Sequence, residues 1–238
     1  LNQWITDPDK TNPAYDWEDM LTGVRASCAW NGRPGGELGS PDAKQWCIPW
    51  GYEQNNLTYN AAMMERAGAS AQGANDGVYG IGVRGSRSWA TIHPGFLSGY
   101  SNFGERDLNV GDDGMLSAAM NTAGSKDFHR KWVKMIQDSG ATDWSTHTWY
   151  QVGTDLGAGK SAMIYDADIL GYFMNGGENA MAGELAYAPF AANPDAPAPT
   201  PNIWIWSLAM SSFSQKKDAA WHFLQWASGP KHGLFGAT

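Results

Sequence analysis

Cysteine, charge and long apolar runs are all scarce in this chain. Two cysteines, Cys28 and Cys47, stand among 238 residues, too few for a disulfide framework or a cysteine metal grid. Charged residues make up 17% against 42% hydrophobic, which rules out a disordered chain and leaves enough apolar material for a core. Sixteen basic residues face 24 acidic ones, a net charge of -8. That is the wrong sign for a chain that must neutralise phosphate, so nucleic acid is not an expected partner. No stretch reaches the roughly 20 apolar residues that cross a bilayer, and the opening LNQWITDPDK lacks the basic start and apolar segment of a leader. A mature or truncated soluble chain fits. The length allows one large domain or two modest ones.

Catalytic signatures are also missing: there is no G-x-S-x-G elbow and no H-E-x-x-H pair. His93, His129, His147, His222 and His232 form no short ligand cluster, and neither a metal nor a cofactor is expected. Two glycine motifs come close. Gly80 to Gly85 satisfies G-x-G-x-x-G, but its glycines interrupt the apolar run and SRSW follows where a dinucleotide site needs a helix. Gly157-Ala158-Gly159-Lys160-Ser161 has the wrong glycine spacing for a phosphate loop and reads as a helix end. Asn56-Leu57-Thr58 matches the glycosylation pattern, which matters only in a suitable secretory pathway. Cys28 and Cys47 would close a modest loop, and a bridge between them is expected of an exported chain, with two unpaired core thiols the alternative.

The pattern predicts a short strand over 46–50 running into a turn, a helix over 59–67, a strand over 78–83, and loop with an irregular helix over 86–104. A helix over 126–137, with Ser125 as its cap, carries Phe128, Trp132, Met135 and Ile136 at helical spacing. Strands follow over 161–165 and 185–190, with a turn at 166–168 between them. The segment 193–201 has four prolines in nine residues, a semi-extended crossover. A strand over 203–209 and a helix near 217–227, with Ser214 as a capping residue, complete the reading, with no long element expected beyond Gly229. Strands interleaved with helices indicate α/β layering.

Tryptophan is abundant, with thirteen residues. Flat indoles cover the C–H faces of a sugar while carboxylates, amides and Arg bind its hydroxyls. Trp50 with Glu53, Arg84 through Trp89, Trp149 with Tyr150, Asp166 with Asp168, and Trp204 with Trp206 supply such groups from separate segments. Glu53 with Asp166 or Asp168 would also supply the two carboxylates of a carbohydrate-active hydrolase. A noncatalytic surface carbohydrate-binding module is a third reading.

Taken in order, CIPWGYEQNNLTYN (47–60), YGIGVRGS (79–86), THTWYQV (146–152), GAGKSAMIYDAD (157–168), WIWSLAM (204–210) and KKDAAWHFLQWASGP (216–230) resemble the extracellular solute-binding proteins of ABC sugar and sugar-alcohol importers. The resemblance implies a non-enzymatic, periplasmic-binding-protein-like two-lobed α/β fold. Its cleft closes over a small carbohydrate or polyol and engages an ABC permease in the membrane. Carried over by motif, Trp50 and Glu53 enter the cleft at the first crossing, Arg84 follows a second-lobe strand, and Asp166 or Asp168 lines the opposite wall. Trp206 is the stacking platform, with Trp204 on the same strand face; Trp89 and Trp149 complete the ligand-binding set. Relatives are longer, so the expected layout is an incomplete first lobe with the first hinge crossing over 1–53, a second lobe over 54–192, and a return crossing with more of the first lobe over 193–238. A periplasmic or extracellular monomer is implied, membrane-associated through the permease or a lipid anchor.

Overall fold

The computed structural model describes residues 1–66, 77–88, 90–196, 200 and 202–237. In chain order these form α1 (Asn2–Ile5), α2 (Thr22–Ser27), β1 (Ala29–Trp30), β2 (Lys44–Gln45), β3 (Ile48–Asn60), α3 (Ala61–Arg66) and β4 (Tyr79–Gly82). A π-helical turn over His93–Leu97 runs into α4 (Ser98–Asn102), followed by β5 (Leu108–Val110), β6 (Leu116–Ala118), α5 (Ala123–Ser139) and α6 (Trp149–Gly157). Then come β7 (Ser161–Ala167), α7 (Asp168–Met174), β8 (Leu185–Ala188), β9 (Ile203–Leu208), α8 (Lys217–Ser228) and α9 (Pro230–Ala237).

The chain divides into two compact units. Unit 1 holds Leu1–Tyr52, Val110–Leu116 and Ile205–Thr238; unit 2 holds Glu53–Asn109 and Ser117–Trp204. Two long-strand passages between units therefore fall inside β3, at Tyr52/Glu53, and inside β9, at Trp204/Ile205.

The main sheet has the order β4-β7-β3-β8, with β9 also pairing β3. β3 is antiparallel to both β7 and β8, whereas β4 runs parallel to β7. β3 is longer than the 46–50 strand expected, and the polar stretch after Trp50 belongs to it. Its buried positions Asn55, Thr58 and Asn60 defeat an apolar-alternation reading. They are tolerated because each has a partner: Asn55 Oδ1 accepts from Asn202 Nδ2 at 2.7 Å, Thr58 donates to Asn56 Oδ1 at 3.1 Å, and Asn60 Oδ1 accepts from the Met63 amide at 2.7 Å.

In unit 2, Val152, Leu156, Ile164, Leu170 and Leu185 form one buried cluster, and Ile81, Val83 and Ile136 form another under Trp132, Trp144 and Tyr165. Each such aliphatic side chain contributes roughly 1.5–3 kcal/mol on burial. Gly85 explains the glycine-rich motif by packing: a Cβ there would lie 2.3 Å from the Trp144 ring and 2.4 Å from its carbonyl oxygen. Among the described residues, the helix that a dinucleotide site requires does not follow it. Unit 1 is organised around Tyr15, Ile48, Trp221 and Leu224, with Trp4, Trp17, Met20 and Leu208 packed on their flanks.

Several local expectations need correction. The cap of α5 is Thr122, whose side chain accepts from the Ser125 amide at 2.9 Å, so the helix begins one turn earlier than its apolar period indicates. The N-cap of α8 is Lys216, and Ser214 instead accepts from the Lys216 amide at 3.1 Å. The turn expected at 166–168 is the junction of β7 and α7, and the terminal segment beyond Gly229 forms α9. Cys28 and Cys47, the pair expected to bridge, stand side by side as free thiols. Burial of Cys28, reinforced by a hydrogen bond to Cys47, pushes its thiol up to about 12.

Candidate functional site

The most developed polar constellation lies at one end of the unit 2 sheet. Its origin is the β4–β7 register, in which Gly82 lies opposite Ile164. Two residues further along each strand, Arg84 meets Asp166 through a bidentate pair, Nε to Oδ2 at 2.8 Å and Nη2 to Oδ1 at 2.5 Å. Asp166 is fully buried and the Arg84 side chain is 10% exposed. Asp166 Oδ1 also accepts from the Ala167 amide at 2.7 Å, and Arg84 Nη1 donates to the Ala90 carbonyl at 2.7 Å. Arg has five N–H donors, so one on each terminal nitrogen remains beyond these bonds among the described residues. Asp166 therefore orients Arg84, and its occupied oxygens suit it poorly to general acid or base chemistry.

Asp168 stands at the first position of α7 and accepts from the Gln54 backbone amide at 3.1 Å. This ties the start of that helix to β3 just after Glu53. Trp149 reaches the same end through helix packing. A Cβ on Gly153 would meet Leu170 at 3.0 Å, and one on Gly157 would meet Met174 at 2.6 Å. Both pairs are offset by the same number of residues, so α6 and α7 run alongside in the same direction and begin at the same end. Trp149 caps that end 36% exposed, its ring 4.1 Å from that of Tyr150.

Trp204 stacks on His93 with ring centroids 4.7 Å apart and planes 16° apart. His93 was overlooked as a site residue in the sequence because a single histidine before Pro94 carries no periodic or motif signal. Burial lowers its pKa, Arg84 adds to that effect, and Asp166 opposes it. His93 also lines an open recess of ≈ 370 Å³ with Ser98, Tyr100, Arg106 and Asn202. A second recess, ≈ 260 Å³, is bordered by Gln54, Asn55, Asn56 and Tyr187.

Unit 2 thus links Arg84, Asp166 and Trp204 from the expected set through His93, with Asp168 and Trp149 at the starts of α7 and α6. Glu53 is its first residue, half-buried in β3. Trp50 and Trp206 belong to unit 1 and are 54% and 46% exposed. Trp89 lies outside the described residues. Among the described residues no group of three or more His, Cys, Asp or Glu side chains could hold a metal ion, and no helix is long and apolar enough to cross a membrane.

The chain is 39% identical over 245 residues to an erythritol/L-threitol-binding protein of Mycolicibacterium smegmatis, a match covering 96% of the chain and 50% of that relative. It spans about half the length of the curated relative it matches. A solute-binding protein of an ABC transporter from Agrobacterium vitis with bound D-mannitol has a TM-score of 0.78 at 23% identity, covering 99% of this chain and 57% of that one. One from Agrobacterium radiobacter in complex with ribitol has a TM-score of 0.79 at 15% identity, covering 100% and 59%. These likenesses identify the α/β fold of periplasmic binding proteins. Residues 3–233 match the bacterial extracellular solute-binding proteins, and the chain belongs to that family.

Proposed function

We propose that the protein containing this chain binds a short polyol or small sugar outside the cytoplasm and delivers it to an ABC permease, without chemical turnover. The observation that carries this reading is the linkage of Arg84, Asp166 and Trp204 through His93 in unit 2, with Asp168 and Trp149 at the starts of α7 and α6. Such a set offers charged hydrogen-bond partners for hydroxyls and flat apolar surface for carbon. The similarity to a protein named for erythritol and L-threitol favours a polyol over a larger saccharide.

In this proposal the two units are parts of the two lobes, and β3 and β9 are crossing segments. Trp50, Glu53 and Trp206 act from those segments, Trp206 as a stacking platform. Trp89 remains a proposed contact on its sequence position alone. The working form is a periplasmic or cell-surface monomer, held near the membrane by the permease or by a lipid anchor. Solute binding favours the closed arrangement by the difference in its affinity for closed and open states.

Calorimetric titration of the full-length protein with erythritol, L-threitol, ribitol, D-mannitol and maltose tests the reading. Saturable binding of at least one polyol, with the ligand recovered unchanged, is the expected result. Absence of binding across the panel overturns the reading. Trp206→Ala should weaken binding about tenfold, equivalent to ~1.4 kcal/mol, with an unchanged unfolding profile; unaltered affinity removes Trp206 from the site.

A further inference from the structure

Four features converge on His93. Its ring lies flat on Trp204, which removes one face from water and fixes the imidazole plane. Its backbone opens the π-helical turn: the Leu97 amide donates to the Ile92 carbonyl at 3.0 Å, and Ser98 Oγ donates to the His93 carbonyl at 3.0 Å. Such turns are rare and concentrate at functional sites. The side chain borders the ≈ 370 Å³ recess, and neither ring nitrogen makes a hydrogen bond among the described residues. The paired Arg84 and Asp166 supply the nearby field.

We infer that His93 is a ligand-contacting residue that sets specificity at the proposed polyol site, presenting the unprotonated nitrogen of its neutral ring as acceptor to one hydroxyl of the solute while the N–H on the far side of the ring serves a separate partner. This rests on the function proposed above. A polyol hydroxyl donates, and the neutral imidazole offers the matching acceptor on a plane held by Trp204. Protonation would remove the acceptor and place a second cation beside Arg84.

The groups facing the imidazole settle the sign of the pH dependence. Arg84, from the segment after β4, opposes protonation, while Asp166 at the end of β7 favours it; Glu105, Arg106 and Asp107 border the same recess. Burial is the largest influence, and the pKa lies below the ordinary 6.5. The contribution of His93 to binding is therefore fully present above that ordinary value. It is lost as pH falls through the lowered one.

Calorimetry with erythritol as probe, on the full-length protein from about pH 7.5 down to about pH 5, tests this. His93→Ala should weaken binding about tenfold at the upper end. His93→Gln, which keeps a donor and an acceptor, should stay within about threefold of wild type there and lose the acid-side decline. Equal affinity of wild type and His93→Ala overturns the inference while leaving the polyol reading intact. Failure of wild type to bind any polyol in the panel overturns the polyol reading, and this inference with it. Should His93→Ala fail to fold, the wild-type and His93→Gln pH profiles decide: superimposable profiles overturn the inference.

Discussion

The two units achieve order by different means. Unit 2 surrounds its sheet with two buried aliphatic clusters and satisfies the polar groups enclosed with them, including Asn55, Thr58 and the Arg84–Asp166 pair. Unit 1 has one cluster around Trp221, flanked by partly buried residues; both units also expose large apolar side chains, Leu21, Phe213, Phe223 and Trp226 in unit 1 and Ile92, Val133, Tyr172 and Phe173 in unit 2. A side chain with half its surface in water gains only part of its transfer free energy. A mutation within the buried clusters or paired polar groups of unit 2 therefore removes a support that other residues depend on. In unit 1 the consequence depends on whether the position belongs to the Trp221 cluster or to the exposed surface.

The largest test of that contrast is Asp166→Ala, which leaves the Arg84 guanidinium buried without its carboxylate. A loss of about 3–5 kcal/mol is expected from breaking a buried pair. Denaturant unfolding should show it in unit 2, and a loss below about 1 kcal/mol would remove the pair from the unit's supports. Gly85→Ala comes next, because the added carbon meets both the ring and the carbonyl of Trp144. Overpacking of this kind costs about 1–3 kcal/mol, read as a lower unfolding midpoint; an unchanged midpoint would mean that the segment shifts freely. The smallest effect belongs to unit 1: Phe223→Ser, at a position 54% exposed, should change stability by about 0.5 kcal/mol or less. It should also reduce binding of an apolar dye. A large destabilisation would show that the exposed aromatic surface of α8 is structurally essential and would erase the contrast.

The regular parts of the fold were legible where one local pattern dominated. The α5 period exposed its apolar face, β4 followed from a short apolar run, and α8 from its recurring Trp221, Leu224 and Ala227. β3 was legible only in part, because buried Asn55, Thr58 and Asn60 do not announce a sheet interior. Asn55 bonds Asn202, and the side-chain amide nitrogen of Asn60 donates to the Met181 sulfur, both partners distant in sequence; only Thr58 is satisfied wholly by a neighbour, Asn56. The same limit governs the site. Arg84 and Asp166 were readable as polar groups beside strands, but strand register determines that they bind each other. His93 was visible only as one of five scattered histidines.

By itself, the sequence determined an α/β chain of net negative charge, and its distributed motifs pointed to the solute-binding family. Composition and local periodicity suffice for that because charge sign and apolar spacing are properties of the linear chain. Tertiary structure decided that Asp166 serves Arg84, that Gly85 makes room for Trp144, that Cys28 and Cys47 lie side by side, and that His93 lies on Trp204. Each of these depends on distances between residues far apart in sequence, which strand register and helix packing set.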